Sequence, residues 1–120
     1  AWCDVLVIAT PGGPGTRHLV NADILQTLGR KGWLVNIARG SVVDTAALAT
    51  ALRANTIAGA GLDVYESEPA PPAELIGLPN VVLTPHVAGW SPEAVQNSVD
   101  RFIDNATRHF AGQAMVSPIL

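Results

Sequence analysis

The chain has 120 residues, of which 48% are apolar and 14% charged, with a formal net charge of -3. That length allows one domain with a real core, is short for a two-domain enzyme, and the composition excludes a disordered segment. The seven basic residues are scattered with no stripe interleaved with aromatics, which argues against a nucleic-acid partner.

Cys3–Ala9 is a short apolar run closed by Thr10-Pro11-Gly12-Gly13-Pro14-Gly15, and predicts a buried strand ending in a tight loop. Asn21 is a candidate N-cap for a helix through Leu28, stopped by Gly29, with Ile24, Leu25 and Leu28 on its inner face. Trp33–Ala38 predicts a second buried strand. Asp44 is placed to cap a helix through Ala54 with Leu48, Ala51 and Leu52 inward. Ile57–Val64 predicts a third strand, followed by a Pro-rich, acidic surface loop over 66–79 and a short fourth strand, Val81–Thr84. Ser91-Pro92-Glu93 is a strong helix start: a capping hydroxyl, a proline in the first turn and an acid at the positive end of the dipole. The last helix is expected to reach Ala111 and end at Gly112, with Val95, Val99, Phe102, Ile103, Ala106 and Phe110 as its apolar stripe.

Strand and helix alternating at this spacing form two consecutive βαβ crossovers. They predict an α/β fold, a partial Rossmann-like parallel sheet with flanking helices and a long C-terminal helix. A dinucleotide fold opens with a G-x-G-x-x-G turn after its first strand. Gly12-Gly13-Pro14-Gly15 lacks that spacing, and Pro14 removes an N–H, so the chain reads as a fragment. The expected division is 1–90 as the C-terminal half of a NAD(P)-binding domain and 91–120 as a helix and tail returning to a substrate domain.

In open parallel sheets ligands bind beyond the carboxyl ends of the strands. Thr10 and Pro11 follow the first predicted strand, Arg39 and Gly40 the second, Asp63 and Glu68 the third, and His86 the fourth. The ordered set Asn36-Ile-Ala-Arg-Gly40, Val43-Asp44, Gly61-Leu-Asp-Val-Tyr65, Glu68-Pro69 and Leu83-Thr-Pro-His86 with Gly89 resembles the D-isomer-specific 2-hydroxyacid dehydrogenase family over nearly the whole chain. By that resemblance His86 is the general acid that protonates a substrate carbonyl oxygen as hydride arrives. Glu68 would hold its ring and favour the protonated form, and Arg39 would bind the substrate carboxylate with its planar fork. Asp63 would contact the nicotinamide end of the cofactor. Thr10, Pro11, Ile37, Ala38, Arg39 and His86 would line its ribose and ring side, with Gly89 allowing close backbone approach.

The resemblance implies an oxidoreductase moving hydride between NAD or NADP and a small 2-oxoacid, with glyoxylate/hydroxypyruvate reductases as the nearest type. The isolated chain is expected to be inactive. The competing reading is a non-catalytic interaction or regulatory module built on half a Rossmann sheet. The blander readings leave Glu66 and Glu68 as loop charges, Asp63 as a turn cap, and Cys3 and Trp33 as core. His18 and His109 have no partner at motif spacing and are assigned to the surface, and Trp90 is expected to pack under the last helix or narrow the site. No histidine has another histidine or an acid at zinc-site i, i+4 spacing, so no metal is expected. The single cysteine, and apolar runs far shorter than the ~20 residues that span a bilayer, point to a soluble, cytoplasmic protein without a membrane partner. An unpaired edge on the first strand suggests a homo-oligomer, a dimer, or a missing companion segment.

Overall fold

The computed structural model describes residues 3–118. They divide between Ala88 and Gly89 into two compact units. The first carries four parallel strands, β1 (Val5–Ile8), β2 (Trp33–Asn36), β3 (Gly59–Leu62) and β4 (Val81–Leu83), in the order β1-β2-β3-β4. Two helices, α1 (Ala22–Leu28) and α2 (Thr45–Arg53), make the crossovers, and short 3-10 turns occupy Pro14–Thr16 and Gly40–Val42.

The helix starts fall where side-chain chemistry directs them. Asn21 accepts from the Ile24 N–H at 3.1 Å and Asp44 from the Ala47 N–H at 2.9 Å, each satisfying a donor that the first turn leaves free. Gly29 ends α1 at φ 80, a backbone that glycine adopts without a Cβ penalty.

In register, Leu6, Leu34, Ala60 and Val81 lie side by side across the sheet, as do Ile8, Asn36, Leu62 and Leu83. These two rows face α1 and α2 and build the core with Leu25, Leu28, Leu48 and Leu52. Alternate residues point the other way. Val5 and Val7 of β1, Trp33 of β2 and Val82 of β4 are 51%, 53%, 49% and 66% exposed, so the sheet is covered on one face. This corrects the reading of the first two strands as buried and of Trp33 as core. An apolar run of four states that a strand is present, but not whether one face or both are covered. Cys3 does pack partly buried against the core.

Two further corrections concern apolar side chains. Ile24, assigned to the inner face of α1, is exposed, whereas Leu25 and Leu28 are buried. The loop after β3 is not wholly a surface feature. Leu75 and Pro72 are fully buried, and the Arg53 guanidinium donates to the Glu74 carbonyl at 2.6 Å, so the loop is anchored to the C-terminal end of α2.

The second unit is α3 (Pro92–Phe110), capped by Ser91, whose hydroxyl accepts from the Ala94 N–H at 3.1 Å. None of its residues is buried; Val95, Val99, Phe102, Ile103 and Phe110 are all exposed. Trp90 is 80% exposed, so it does not pack under the helix. His109 meets Phe110 edge to face.

Candidate active site

The carboxyl ends of β1, β2 and β3 open onto one cleft. It is lined by Ala9, Thr10, Pro11, Gly12 and Gly13, by Ile37, Ala38, Arg39, Gly40 and Ser41, and by Arg17, Tyr65, Glu66 and Glu68. Glu68 also borders an adjoining hollow lined by Pro69, Pro71, Leu83, Pro85 and His86. Tyr65 and Glu68 thus border both hollows, with Arg39 lining the first and His86 the second.

The His86 Nδ1 lies 3.1 Å from Glu68 Oε2. The other Glu68 oxygen accepts from the Tyr65 N–H at 2.8 Å. That backbone bond comes first among the influences that hold the Glu68 carboxyl below the usual range; the His86 ring and the Arg39 charge add to it against a smaller cost of burial. His86 has φ 56, a left-handed backbone that a non-glycine residue keeps only where its surroundings enforce it. Here the enforcement is visible: the His86 N–H donates to the Asp63 carbonyl at 2.9 Å.

Asp63 is 5% exposed, and its carboxylate is committed to its own chain. Oδ1 accepts from Thr84 Oγ1 at 2.5 Å and from the Val87 N–H at 2.9 Å, and Oδ2 accepts from the Ala88 N–H at 2.8 Å. Burial alone would raise its pKa, but these bonds and the His86 charge outweigh it and leave the group below its ordinary value. The turn-cap reading of Asp63 thus describes what the carboxylate does here: it shapes the segment that carries His86. The Tyr65 hydroxyl, donating to the Thr84 carbonyl, braces the same segment from the other side. Burial, then the nearby Asp63 and Glu68 charges, raise the Tyr65 pKa and keep that donor protonated.

Arg39 is set by Asn36, a residue to which sequence reasoning gave no role. Asn36 is 1% exposed, accepts from the Ala38 N–H at 3.0 Å and donates to the Arg39 carbonyl at 3.0 Å. One Arg39 nitrogen donates to the Ala38 carbonyl at 2.6 Å, and the rest of the fork is left for the cleft. Its aliphatic stem runs where a side chain on Gly12 would stand, since a Cβ there would lie 2.7 Å from the arginine Cγ. Thr10, Pro11, Ile37 and Ala38 line the cleft as well, with Ile37 exposed toward solvent. Gly89 lies in the turn before α3, at the start of the second unit.

Two further residues meet in a contact that the sequence reading did not include. His18 has partners far from any motif spacing: its Nε2 lies 2.7 Å from Glu66 Oε1, and its Nδ1 lies 3.8 Å from Asp44. Glu66 is not a solvated loop charge. Its other oxygen accepts from both the N–H and the hydroxyl of Thr45, at 3.2 and 2.8 Å. Forty-eight residues separate His18 from Glu66, so no local spacing could have announced the pair.

A parallel sheet with Arg, Glu and His around its carboxyl end is the architecture of a nicotinamide dehydrogenase domain. Residues 1–88 match the family described as D-isomer specific 2-hydroxyacid dehydrogenase, NAD binding domain, and the chain belongs to that family. It is 43% identical over 119 residues to a 2-ketogluconate reductase of Gluconobacter oxydans, covering 99% of this chain and 38% of that protein. It is 51% identical over 88 residues to a glyoxylate reductase of Pyrococcus horikoshii, covering 73% of this chain and 26% of that protein. Among solved structures, an NADPH-dependent glyoxylate/hydroxypyruvate reductase from Sinorhizobium meliloti, in complex with NADP and malonate, superposes with a TM-score of 0.90. The two are 47% identical, with 97% of this chain and 36% of the other covered. The chain thus spans less than two-fifths of the length of these relatives.

Proposed function

We propose that this chain supplies the catalytic groups of an enzyme that reduces a small 2-oxoacid to its D-2-hydroxyacid with NADH or NADPH. The observation that carries this reading is the Glu68–His86 contact of 3.1 Å beside a cleft that Arg39 and Glu68 both line. It supports catalysis over an interaction module, which has no use for a carboxylate-oriented imidazole next to an arginine fork.

Since Glu68 engages Nδ1, the Nε2 of His86 is the atom left to give its proton to a carbonyl oxygen or take it back. The remaining guanidinium N–H groups of Arg39 suit a carboxylate, which they would hold in two-point contact so that the carbonyl is fixed relative to His86. The cleft wall also suits a nicotinamide. Thr10, Pro11, Ile37 and Ala38 present a largely apolar surface, and Gly12 and Gly13 let backbone approach closely. When bound, the nicotinamide exchanges a hydride with the substrate. Asp63 belongs to this scheme through the His86 segment it shapes, and Gly89 through the space it leaves.

In the whole protein, residues 1–90 would complete a NAD(P)-binding domain and 91–120 would return toward the substrate domain. The 120-residue chain alone would not turn over, because no phosphate-binding G-x-G-x-x-G turn occurs in its sequence. The open edge of β1 would be covered by a companion segment or by a second copy, giving a dimer. A lone free thiol, Cys3, suits a reducing, cytoplasmic setting; among the described residues no helix is long and apolar enough to cross a membrane.

The test is NAD(P)H oxidation by the full-length protein with glyoxylate and hydroxypyruvate. His86→Gln should lower kcat by roughly 100- to 10,000-fold, the usual worth of a general acid. Arg39→Gln should raise KM most strongly. No oxidation with any 2-oxoacid, or an unimpaired His86→Gln protein, would sink the reading.

A further inference from the structure

We propose that His18 and Glu66 form a clasp that positions Glu68 against His86, so that two residues outside the acid–base pair set its geometry. The proposal rests on the function proposed above. Glu66 ties together three separate segments: the loop after β1 through His18, the start of α2 through Thr45, and the loop after β3 to which it belongs. The first two are already zipped to each other. The His18 N–H donates to the Ser41 carbonyl at 2.8 Å, the Val20 N–H to the Val42 carbonyl at 3.0 Å, and the Asp44 N–H to the Val20 carbonyl at 3.0 Å. Glu66 therefore grips a stiff frame.

The grip passes to the active site through one peptide unit. Tyr65, immediately before Glu66, is the residue whose N–H holds Glu68 Oε1 at 2.8 Å, and Glu68 Oε2 faces His86. Where Glu66 is pinned, the Tyr65 amide is pinned, and so is the carboxylate. Glu66 and Glu68 stand two residues apart on an irregular loop, so no helix or strand would otherwise keep them in register.

Exposed ion pairs contribute little to stability, and a surface charge pair is the plain alternative. Three observations weigh against it. The Glu66 side chain is only 25% exposed, and two of its three hydrogen bonds come from the uncharged donors of Thr45. His18 has φ 50, a strained conformation for a non-glycine residue. Arg17, the nearest full cation to Glu66, stands off at 3.7 Å, whereas the imidazole is at 2.7 Å. Asp44, Arg17, Arg39 and Glu68 are the other charged groups around the clasp. Burial raises the Glu66 pKa, but the His18 and Thr45 bonds more than offset it, which favours the charged carboxylate as the acceptor in the clasp.

The test is long-range nitrogen–proton NMR on the 120-residue chain, which reads the tautomer of each of its three histidines. In the neutral ring, read at a pH high enough that the spectrum shows no imidazolium, Glu68 should favour the His86 form with its proton on Nδ1. Glu66→Ala and His18→Ala should each shift that tautomer ratio toward the Nε2–H form by roughly tenfold, as for losing a hydrogen bond to a charged acceptor. Glu68→Ala is the reference. If it moves the ratio and both clasp variants leave His86 as in the parent chain, the clasp is overturned while the acid–base pair stands. If Glu68→Ala also changes nothing, the pair itself fails and the clasp with it. His18→Gln, smaller in effect on packing, gives the same readout should an alanine variant fail to fold. Loss of stability alone would not move the tautomer of the folded chain.

Discussion

Replacing Gly40 with alanine would place a methyl group inside a neighbouring backbone. The new Cβ would lie 1.9 Å from the carbonyl carbon of Tyr65, 2.2 Å from its oxygen and 2.3 Å from the Glu66 nitrogen. No side-chain rotation relieves such a contact, because the obstructing atoms are all main chain. The 3-10 turn at Gly40–Val42 and the Tyr65–Glu66 peptide would have to separate by about 1.5 Å to restore even a tight van der Waals distance. A shift of that size also takes the Thr45–Glu66 bonds, now 2.8 and 3.2 Å, beyond hydrogen-bond reach. Overpacking of this kind costs about 1–3 kcal/mol, and a backbone obstacle belongs at the upper end. For a chain of this size, about 3 kcal/mol lowers Tm by roughly 12 °C. Thermal unfolding followed by circular dichroism reads it directly. Gly61→Ala is the matched control, since nothing lies within 4 Å of its Cβ position. It should be neutral or stabilise by up to ~1 kcal/mol, the entropy penalty of glycine in a strand. A Gly40→Ala protein melting within about 2 °C of the parent would refute the reasoning.

Asp63→Asn leaves one acceptor oxygen where two now serve three donors, so Thr84 and the N–H groups of Val87 and Ala88 cannot all be satisfied. The expected loss is about 1–3 kcal/mol, with faster hydrogen exchange at Val87 and Ala88; unchanged protection there would contradict the assigned role. Asp63, Glu66 and Glu68 all have carboxyls held below their ordinary values of 3.8, 4.5 and 4.5. A lowered folded-state pKa means that the folded chain binds protons less readily than the unfolded one. Their contribution to stability is therefore complete above those values and is lost as pH falls through the lowered ones. Denaturation midpoints should be level near neutrality and fall with acidification, and a midpoint still level at about pH 3 would count against the three networks.

The sequence announced whatever is local. Asn21, Asp44 and Ser91 are short polar side chains at the heads of apolar stripes, and each caps the helix it was expected to cap. The strands are apolar runs bounded by Gly and Pro, and their parallel pairing follows from the crossovers between them. Coverage was not legible. Val5-Leu6-Val7-Ile8 reads the same whether one face is packed or both, because it contains no polar residue to mark the open side. At the site, residue types and order located Arg39, Glu68 and His86, but not what holds them. Asn36 acts by closing a short polar loop on itself, Asp63 by binding the segment after β4, 24 residues on at Val87, and His18 meets Glu66 only because two chain segments run side by side. Buried polar contacts between distant segments leave no periodic trace.

The half-covered sheet also gives the molecule an internal reporter. Trp33 projects from the open face and lies across Gly59, where a Cβ would come within 2.5 Å of its ring. Its indole is thus half in water beside Val5, its register neighbour on β1. In a variant that keeps Trp33 as its only tryptophan, emission should lie toward the red while that face is wet. It should move to the blue when any surface settles over it, so one fluorescence spectrum would count the fraction of molecules whose sheet has found a second layer.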